Sequence, residues 1–214
     1  ADGRTLNSEI ALISIGRSIV SDNLKIENAG LTTGQRGVIE VDSKMQTSVA
    51  GIYAIGDVTG KMMLAHVASH QGIVAAENAS GGDAYMHYHA VPAVIFTSPE
   101  IAMVGMTLEE AKEEGYPAKS SRFPFQALGK AQASKDTDGF VEVIVDTGTK
   151  QILGAQVMGH GAADLISEMA LAVHNELTID CVTETIHAHP TMAEAWLEAS
   201  LIANDTPIHF PPKG

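Results

Sequence analysis

The sequence predicts an α+β domain over residues 89–214, preceded by a partial segment of an α/β domain. Three observations carry this expectation. In the last two thirds, strand-like runs come first and amphipathic helical runs follow, the order of an α+β domain rather than strict β-α-β alternation. In the first third, short apolar runs and a single helical pattern do not add up to a core that could stand alone. No internal repeat and no low-complexity tract points to another architecture.

Glu9–Ile15 is a continuous apolar run closed by Gly16-Arg17, the pattern of a buried strand with a turn after it. After a polar stretch interrupted by Gly30 and Gly34, Val38–Asp42 and Gly51–Ile55 read as further strands, the second halted by Gly56-Asp57. Leu64, Val67, Ala68, Gly72, Ala75 and Ala79 recur at helical spacing, and Gly81-Gly82 stop that helix. Near His89 the composition changes. Ala93–Thr97 and Ile101–Val104 are strand-like, and Thr107-Leu108-Glu109-Glu110 matches a capping box that opens a helix ending at Gly115. Phe140–Val145 and Ile152–Val157 read as a hairpin around the loop Asp146-Thr147-Gly148-Thr149-Lys150. Ala162–Leu177 is amphipathic, Thr178 is placed to cap a second helix, and Met192–Ala203 forms a third. The expected divisions are 1–17, 18–88 and 89–214.

The chain has 214 residues and a formal net charge of −13, with no clustered Lys/Arg stripe, which argues against nucleic acid and anionic membranes as partners. No apolar run reaches the ~18 residues that a membrane-crossing helix needs. The single Cys181 can form neither an internal disulfide nor a CxxC knuckle, which fits a reducing compartment. Its place in an apolar helical stretch predicts a buried structural thiol. The start at Ala1, without an initiator Met, predicts a piece of a longer protein.

Four constellations could carry chemistry. An apolar strand running into Gly56-Asp57 puts a carboxylate at the strand's C-terminal end, where open α/β sheets bind ligands. Asp57 could accept hydrogen bonds from a polyol there, or close the strand as an Asx turn. Met63-Leu64-Ala65-His66 stands at a helix start, whose N–H groups can meet an oxygen-rich ligand. His66 and His70 are four residues apart, but the sequence offers them no third ligand, so no metal site is expected. Gly16 closes a strand and permits close approach of a ligand or another backbone. In His187-Ala188-His189-Pro190-Thr191-Met192-Ala193-Glu194, a carboxylate close to His189 would fix its tautomer and stabilise the imidazolium, as a general base requires. Thr191 and Glu194 also match a capping box, which would explain Glu194 without catalysis. One carboxylate has two oxygens, so the two readings can coexist.

The strings Ile52-Tyr53-Ala54-Ile55-Gly56-Asp57, Met63–His66 and His187–Glu194 strongly resemble the C-terminal portion of the flavoprotein disulfide reductases, the pyridine nucleotide-disulfide oxidoreductase family, in order and separation along essentially the whole chain. The resemblance implies that residues 1–17 end an NAD-binding domain, with Gly16 touching the nicotinamide nucleotide. It implies that 18–88 are the second segment of an FAD-binding domain, with Asp57 on FAD and Met63, Leu64, Ala65 and His66 lining the flavin. Residues 89–214 would be the dimerisation domain of a homodimer. His189 would be the proton acceptor for a dithiol substrate, oriented by Glu194 and serving the partner subunit's active site.

Ser18-Ile19 depart from the family, where a Pro usually stands two positions after Gly-Arg. The chain contains neither GxGxxG fingerprint nor a CxxxxC redox pair. The resemblance is greatest to the members that oxidise dihydrolipoyl groups with NAD+, whose partners are the lipoyl domains of 2-oxo acid dehydrogenase complexes in the bacterial cytoplasm or mitochondrial matrix. A glutathione reductase-like member, or a catalytically incomplete dimerisation and interaction module, are the alternatives.

Overall fold

Two units divide the chain, Ala1–His87 and Tyr88–Gly214, and the computed structural model describes residues 3–210. The outermost ends of the expected spans, 1–2 and 211–214, lie outside the described residues.

The first unit carries one α-helix among its described residues, α1 (Ala65–Ala79), as the spacing of its small and apolar residues predicts. Val67, Gln71, Val74 and Ala75 form its buried side, spaced three to four residues apart so that they share one face. The three strands expected in this unit are not formed. Glu9–Ile15 is irregular and open to solvent, with Ile15 95% exposed. Strand geometry needs a neighbour for its N–H and C=O groups, and no strand among the described residues pairs with this run. Val38–Asp42 is likewise outside any ladder. Gly51–Ile55 folds back on Met45–Thr47 through Thr47 N–H to Ile52 O (2.9 Å) and Ala54 N–H to Met45 O (3.2 Å), leaving a single bridge between Gln46 and Tyr53.

The second unit is built on five antiparallel strands, β1 (Ala93–Ile95), β2 (Ile101–Gly105), β3 (Ala118–Pro124), β4 (Phe140–Asp146) and β5 (Ile152–Met158). Their order is β1-β2-β5-β4-β3. β4 and β5 form the expected hairpin at the centre, with Val141 opposite Val157 and Val143 opposite Ala155. β3 was not anticipated from the sequence. It adds to the outer side of β4, pairing Ala118 with Asp146 through Pro124 with Phe140.

Five helices complete this unit: α2 (Leu108–Glu113), α3 (Gly129–Ser134), α4 (Ala162–His174), α5 (Ile179–Glu184) and α6 (Glu194–Ala203). α4 lies against β2 and β5, and α6 against β3 and β4. Both bury their apolar stripes on one face of the sheet. Ile166, Met169, Ala172 and Val173 from α4 and Ala195, Trp196 and Ala199 from α6 meet Phe123, Val141, Val143 and Val157. The opposite face is covered by α2, where Ala111 packs with Ile144 and Leu153. β4 thus sends Val141, Val143 and Val145 one way and Ile144 the other, the period of two that a strand covered on both faces requires. Burying side chains of this size is worth ~1.5–3 kcal/mol each. The layer of α4 and α6 is therefore held firmly in register with the sheet.

The capping box at α2 is formed as the sequence implies. Thr107 Oγ1 accepts from Glu110 N–H at 3.2 Å, and Glu110 Oε2 accepts from Thr107 N–H at 2.8 Å. That return bond also holds the Glu110 carboxyl below the usual carboxylate range. Two cap assignments are corrected. Thr178 stands at the N-cap of α5, but its hydroxyl lies 3.7 Å from Cys181 Sγ instead of accepting from the helix backbone. Cys181 itself is exposed, because it falls on the outer side of α5, not buried as the apolar neighbourhood implied. Thr191 is not the N-cap of α6. That position belongs to Ala193, and the Thr191 hydroxyl donates to Ala188 O at 2.7 Å.

Thr107→Ala removes one side of the capping box and should destabilise the Tyr88–Gly214 unit by about 1 kcal/mol. The shift of the urea unfolding midpoint, at unchanged slope, measures it.

Candidate active site

α6 follows a loop from α5, and that loop carries both His187 and His189. The His189 imidazole projects from this loop, outside the helix, and its side chain is 75% exposed. His189 Nδ1 lies 2.9 Å from Glu194 Oε1, while Glu194 Oε2 accepts from Thr191 N–H at 2.8 Å. Of the expected capping box only the Glu194 half is present, because the Thr191 hydroxyl does not accept from the helix. One oxygen supports the backbone at the start of α6 and the other supports the imidazole.

Burial, with the side chain only 19% exposed, pushes the Glu194 carboxyl up. The Thr191 N–H, the His189 bond and the nearby His209 outweigh that effect and hold it below the usual carboxylate range. Glu194 is thus a carboxylate at neutral pH and accepts from its partners. His189 must donate through Nδ1–H, which leaves the Nε2 lone pair on the side away from Glu194. Gly129, at the start of α3, lies beside the ring: a Cβ there would stand at ordinary contact distance, 3.9 Å, from His189 Cε1.

A second carboxylate–imidazole pair follows one turn further along α6. Glu198 is buried, and its Oε1 lies 2.7 Å from His209 Nδ1. Its Oε2 accepts from His209 N–H at 3.2 Å.

In the first unit, Asp57 sits in a short 3-10 turn, Gly56–Thr59. Gly56 has φ 76°, and an added Cβ would come within 3.3 Å of Ala68 Cβ, so this turn needs glycine. Gly56 N–H is held by Gln71 Oε1 at 2.6 Å, which ties the turn to α1. The Asp57 carboxylate does not close an Asx turn but faces the Arg17 guanidinium at 3.7 Å. Arg17 also donates to Met63 O at 2.8 Å. Gly16, Asp57 and Met63 are therefore brought together around Arg17, a residue the sequence left unassigned. Forty-six residues separate Arg17 from Met63, and no spacing rule connects them.

Leu64, at the N-cap of α1, offers no capping side chain, and the first turn holds no acidic residue. The N–H groups of a helix start of this kind favour an electron-rich group. Ala65 and His66 open the helix itself. These residues have the chemistry that part of a flavin site would use: a carboxylate for hydroxyl groups, a glycine turn, and uncapped N–H groups at a helix start. His66 and His70 gather no third ligand, and among the described residues no cluster of His, Cys, Asp and Glu could hold a metal ion.

Comparison with known proteins fits this geometry. The family model of the pyridine nucleotide-disulphide oxidoreductase dimerisation domain matches residues 91–200, and that of pyridine nucleotide-disulphide oxidoreductase matches residues 1–72. The chain belongs to the pyridine nucleotide-disulphide oxidoreductases.

Among its relatives is the dihydrolipoyl dehydrogenase of Chlamydia pneumoniae, 52% identical over 214 residues, a match that covers 98% of this chain and 46% of that protein. The dihydrolipoyl dehydrogenase of Geobacillus stearothermophilus is 42% identical over 207 residues, covering 97% and 44%. Among solved structures, LpdA from Mycobacterium tuberculosis superposes with a TM-score of 0.87 at 32% identity, over 93% of this chain and 44% of that one. The HOCl-induced flavoprotein disulfide reductase RclA from Escherichia coli gives 0.79 at 27%, over 87% and 43%. The chain spans less than half the length of these relatives.

Because the Glu194 carboxyl is held low in the folded state, its contribution to stability is present above its ordinary value of 4.5 and is lost as pH falls through the lower, folded value. Glu194→Gln should therefore unfold at lower denaturant than wild type at pH 6–8. The gap should narrow progressively below about pH 4.5, as equilibrium unfolding at several pH values will show.

Proposed function

We propose that this chain is the C-terminal part of an FAD-dependent dihydrolipoyl dehydrogenase that oxidises protein-bound dihydrolipoyl groups with NAD+. His189 is its proton acceptor. The observation that carries the proposal is the Glu194–His189 pair, which commits Nδ1 to a carboxylate and leaves Nε2 facing outward.

In this reading a thiol of the substrate gives its proton to His189 Nε2. The resulting thiolate attacks the family's redox disulfide, so the imidazole gains a positive charge while Glu194 remains ionised beside it. The pairing with Glu194 stabilises that charge and keeps the ring from rotating. The enzyme thiolate released by that attack takes the proton back from the same nitrogen, and the substrate's second thiol, deprotonated in turn, closes on the mixed disulfide, so that the product leaves as a disulfide and the enzyme retains a dithiol.

FAD, when bound, supplies the electron transfer between the dithiol and NAD+. Asp57 is the candidate acceptor for its hydroxyl groups, and Met63, Leu64, Ala65 and His66 are the candidate lining beside it. Gly16 is the candidate contact to the nicotinamide nucleotide.

The exposure of His189 supports a site completed by a second subunit, with residues 89–214 as the dimerisation domain of a homodimer. Exposed apolar side chains on that unit, Phe96, Leu171 and Ile186, support the same arrangement. Lipoyl domains of 2-oxo acid dehydrogenase complexes are the proposed protein partners. The bacterial cytoplasm or the mitochondrial matrix is the proposed location. Among the described residues no helix is long and apolar enough to cross a membrane.

In the full-length protein, His189→Ala should lower steady-state oxidation of dihydrolipoamide by roughly 10²–10⁴ with little change in stability. Glu194→Gln should lose less, because an amide oxygen still accepts from Nδ1–H. Equal turnover of His189→Ala and wild type between pH 5.5 and 9 would end the reading. The 214-residue chain by itself, lacking the Gly-rich pyrophosphate turn, should emerge from gel filtration with added FAD without flavin absorbance. Stoichiometric retention would show that Asp57 and Met63–His66 suffice.

A further inference from the structure

His187 stands two residues before His189, and its surroundings are closed. Its side chain is only 4% exposed, and both ring nitrogens are engaged. Nδ1 lies 3.0 Å from Thr185 O, and Nε2 lies 3.0 Å from Glu168 Oε1 on α4. A carbonyl only accepts, so Nδ1–H donates to Thr185.

The ring therefore forms a rigid strut from the end of α5 to the side of α4. Thr185 is itself fixed to α5, its hydroxyl donating to Cys181 O at 2.7 Å. Beyond His189 the chain is tied to α4 again, where Trp196 Nε1–H donates to Leu165 O at 3.0 Å. Leu165 and Glu168 are three residues apart, adjacent on one helix face. The loop bearing His189 is thus pinned before and after the catalytic candidate to the same turn of α4, and α4 is packed on the sheet.

We infer that the Glu168–His187 pair is a positioning clamp that sets where His189 stands, a role that rests on the proposed function and deepens it. Glu194 fixes how the His189 ring is turned, but it sits on α6 and cannot alone fix the path of the loop leading in. Removing Glu168 leaves a buried ring nitrogen without its partner and frees the loop to shift. A displacement of about 1 Å at an acid–base group costs on the order of 10²-fold in rate, while the fold survives.

The test uses the full-length protein carrying Glu168→Ala, Glu168→Gln or His189→Ala. Oxidation of dihydrolipoamide is measured beside NADH-driven reduction of ferricyanide, which uses no dithiol and no imidazole base. Glu168→Ala should lower kcat for dihydrolipoamide by roughly 10- to 100-fold with KM and ferricyanide reduction nearly unchanged. Glu168→Gln, whose side-chain amide can both accept from and donate to a ring nitrogen, should recover most of the loss.

Wild-type kcat in Glu168→Ala, with His189→Ala inactive, would overturn the clamp and leave the base assignment standing. A parallel fall of both activities would overturn it as well, since that is the signature of a merely structural contact. Full activity of His189→Ala would remove the base and the clamp together. Should Glu168→Ala not yield folded protein, Glu168→Met, which keeps the volume without the acceptor, allows the same comparison.

Discussion

Glu194 is the constraint on which the site depends, because one carboxylate performs two tasks that must agree. Its Oε2 holds the Thr191 N–H at the entry to α6, and its Oε1 holds the His189 ring. Partial burial makes both bonds stronger and raises the cost of breaking either. The same helix buries Trp196 two residues later, so the carboxylate cannot move without disturbing the core. An exposed imidazole is thereby given a fixed orientation by a group that is itself anchored in a packed layer.

That anchoring runs back to the central β4–β5 hairpin. The hairpin offers valines to the face that α4 and α6 share, and those helices hold the two ends of the His189 loop. Chemistry at the surface is in this way referred to the most buried part of the unit. The first unit works differently. There Asp57 and Met63 meet around Arg17, and Gly56 is held by the buried Gln71, with short turns where a sheet was expected.

Much of this was legible from local patterns. The Thr107–Glu110 box, α1, α4 and the β4–β5 hairpin each depend on residues close in sequence, where spacing rules apply. β3 has no local signature, because Lys119, Ser120, Ser121 and Arg122 have the composition of a loop. Its pairing with β4 and the buried Phe123 make it a strand. α3 is six residues long and opens on Gly129 without a capping side chain, so it leaves no signature. The runs at 9–15 and 38–42 carry strand-like sequence but no ladder, since pairing partners are not encoded locally. The same holds for the site. Glu194 could be matched to His189 across five residues, whereas Arg17 with Met63 and Glu168 with His187 meet only through tertiary structure.

The central claim is that Glu194 fixes His189 with its proton on Nδ1 and its lone pair on Nε2. Nitrogen-15 NMR of histidine-labelled protein, with His189 assigned by substitution, reads the tautomer of the neutral ring directly. The account predicts a protonated Nδ1 and a bare Nε2 in the wild type, with Glu194→Ala releasing the ring into a mixture. A neutral His189 carrying its proton on Nε2 in the wild type would contradict it, because the nitrogen that the proposed base needs would then have nothing to accept with.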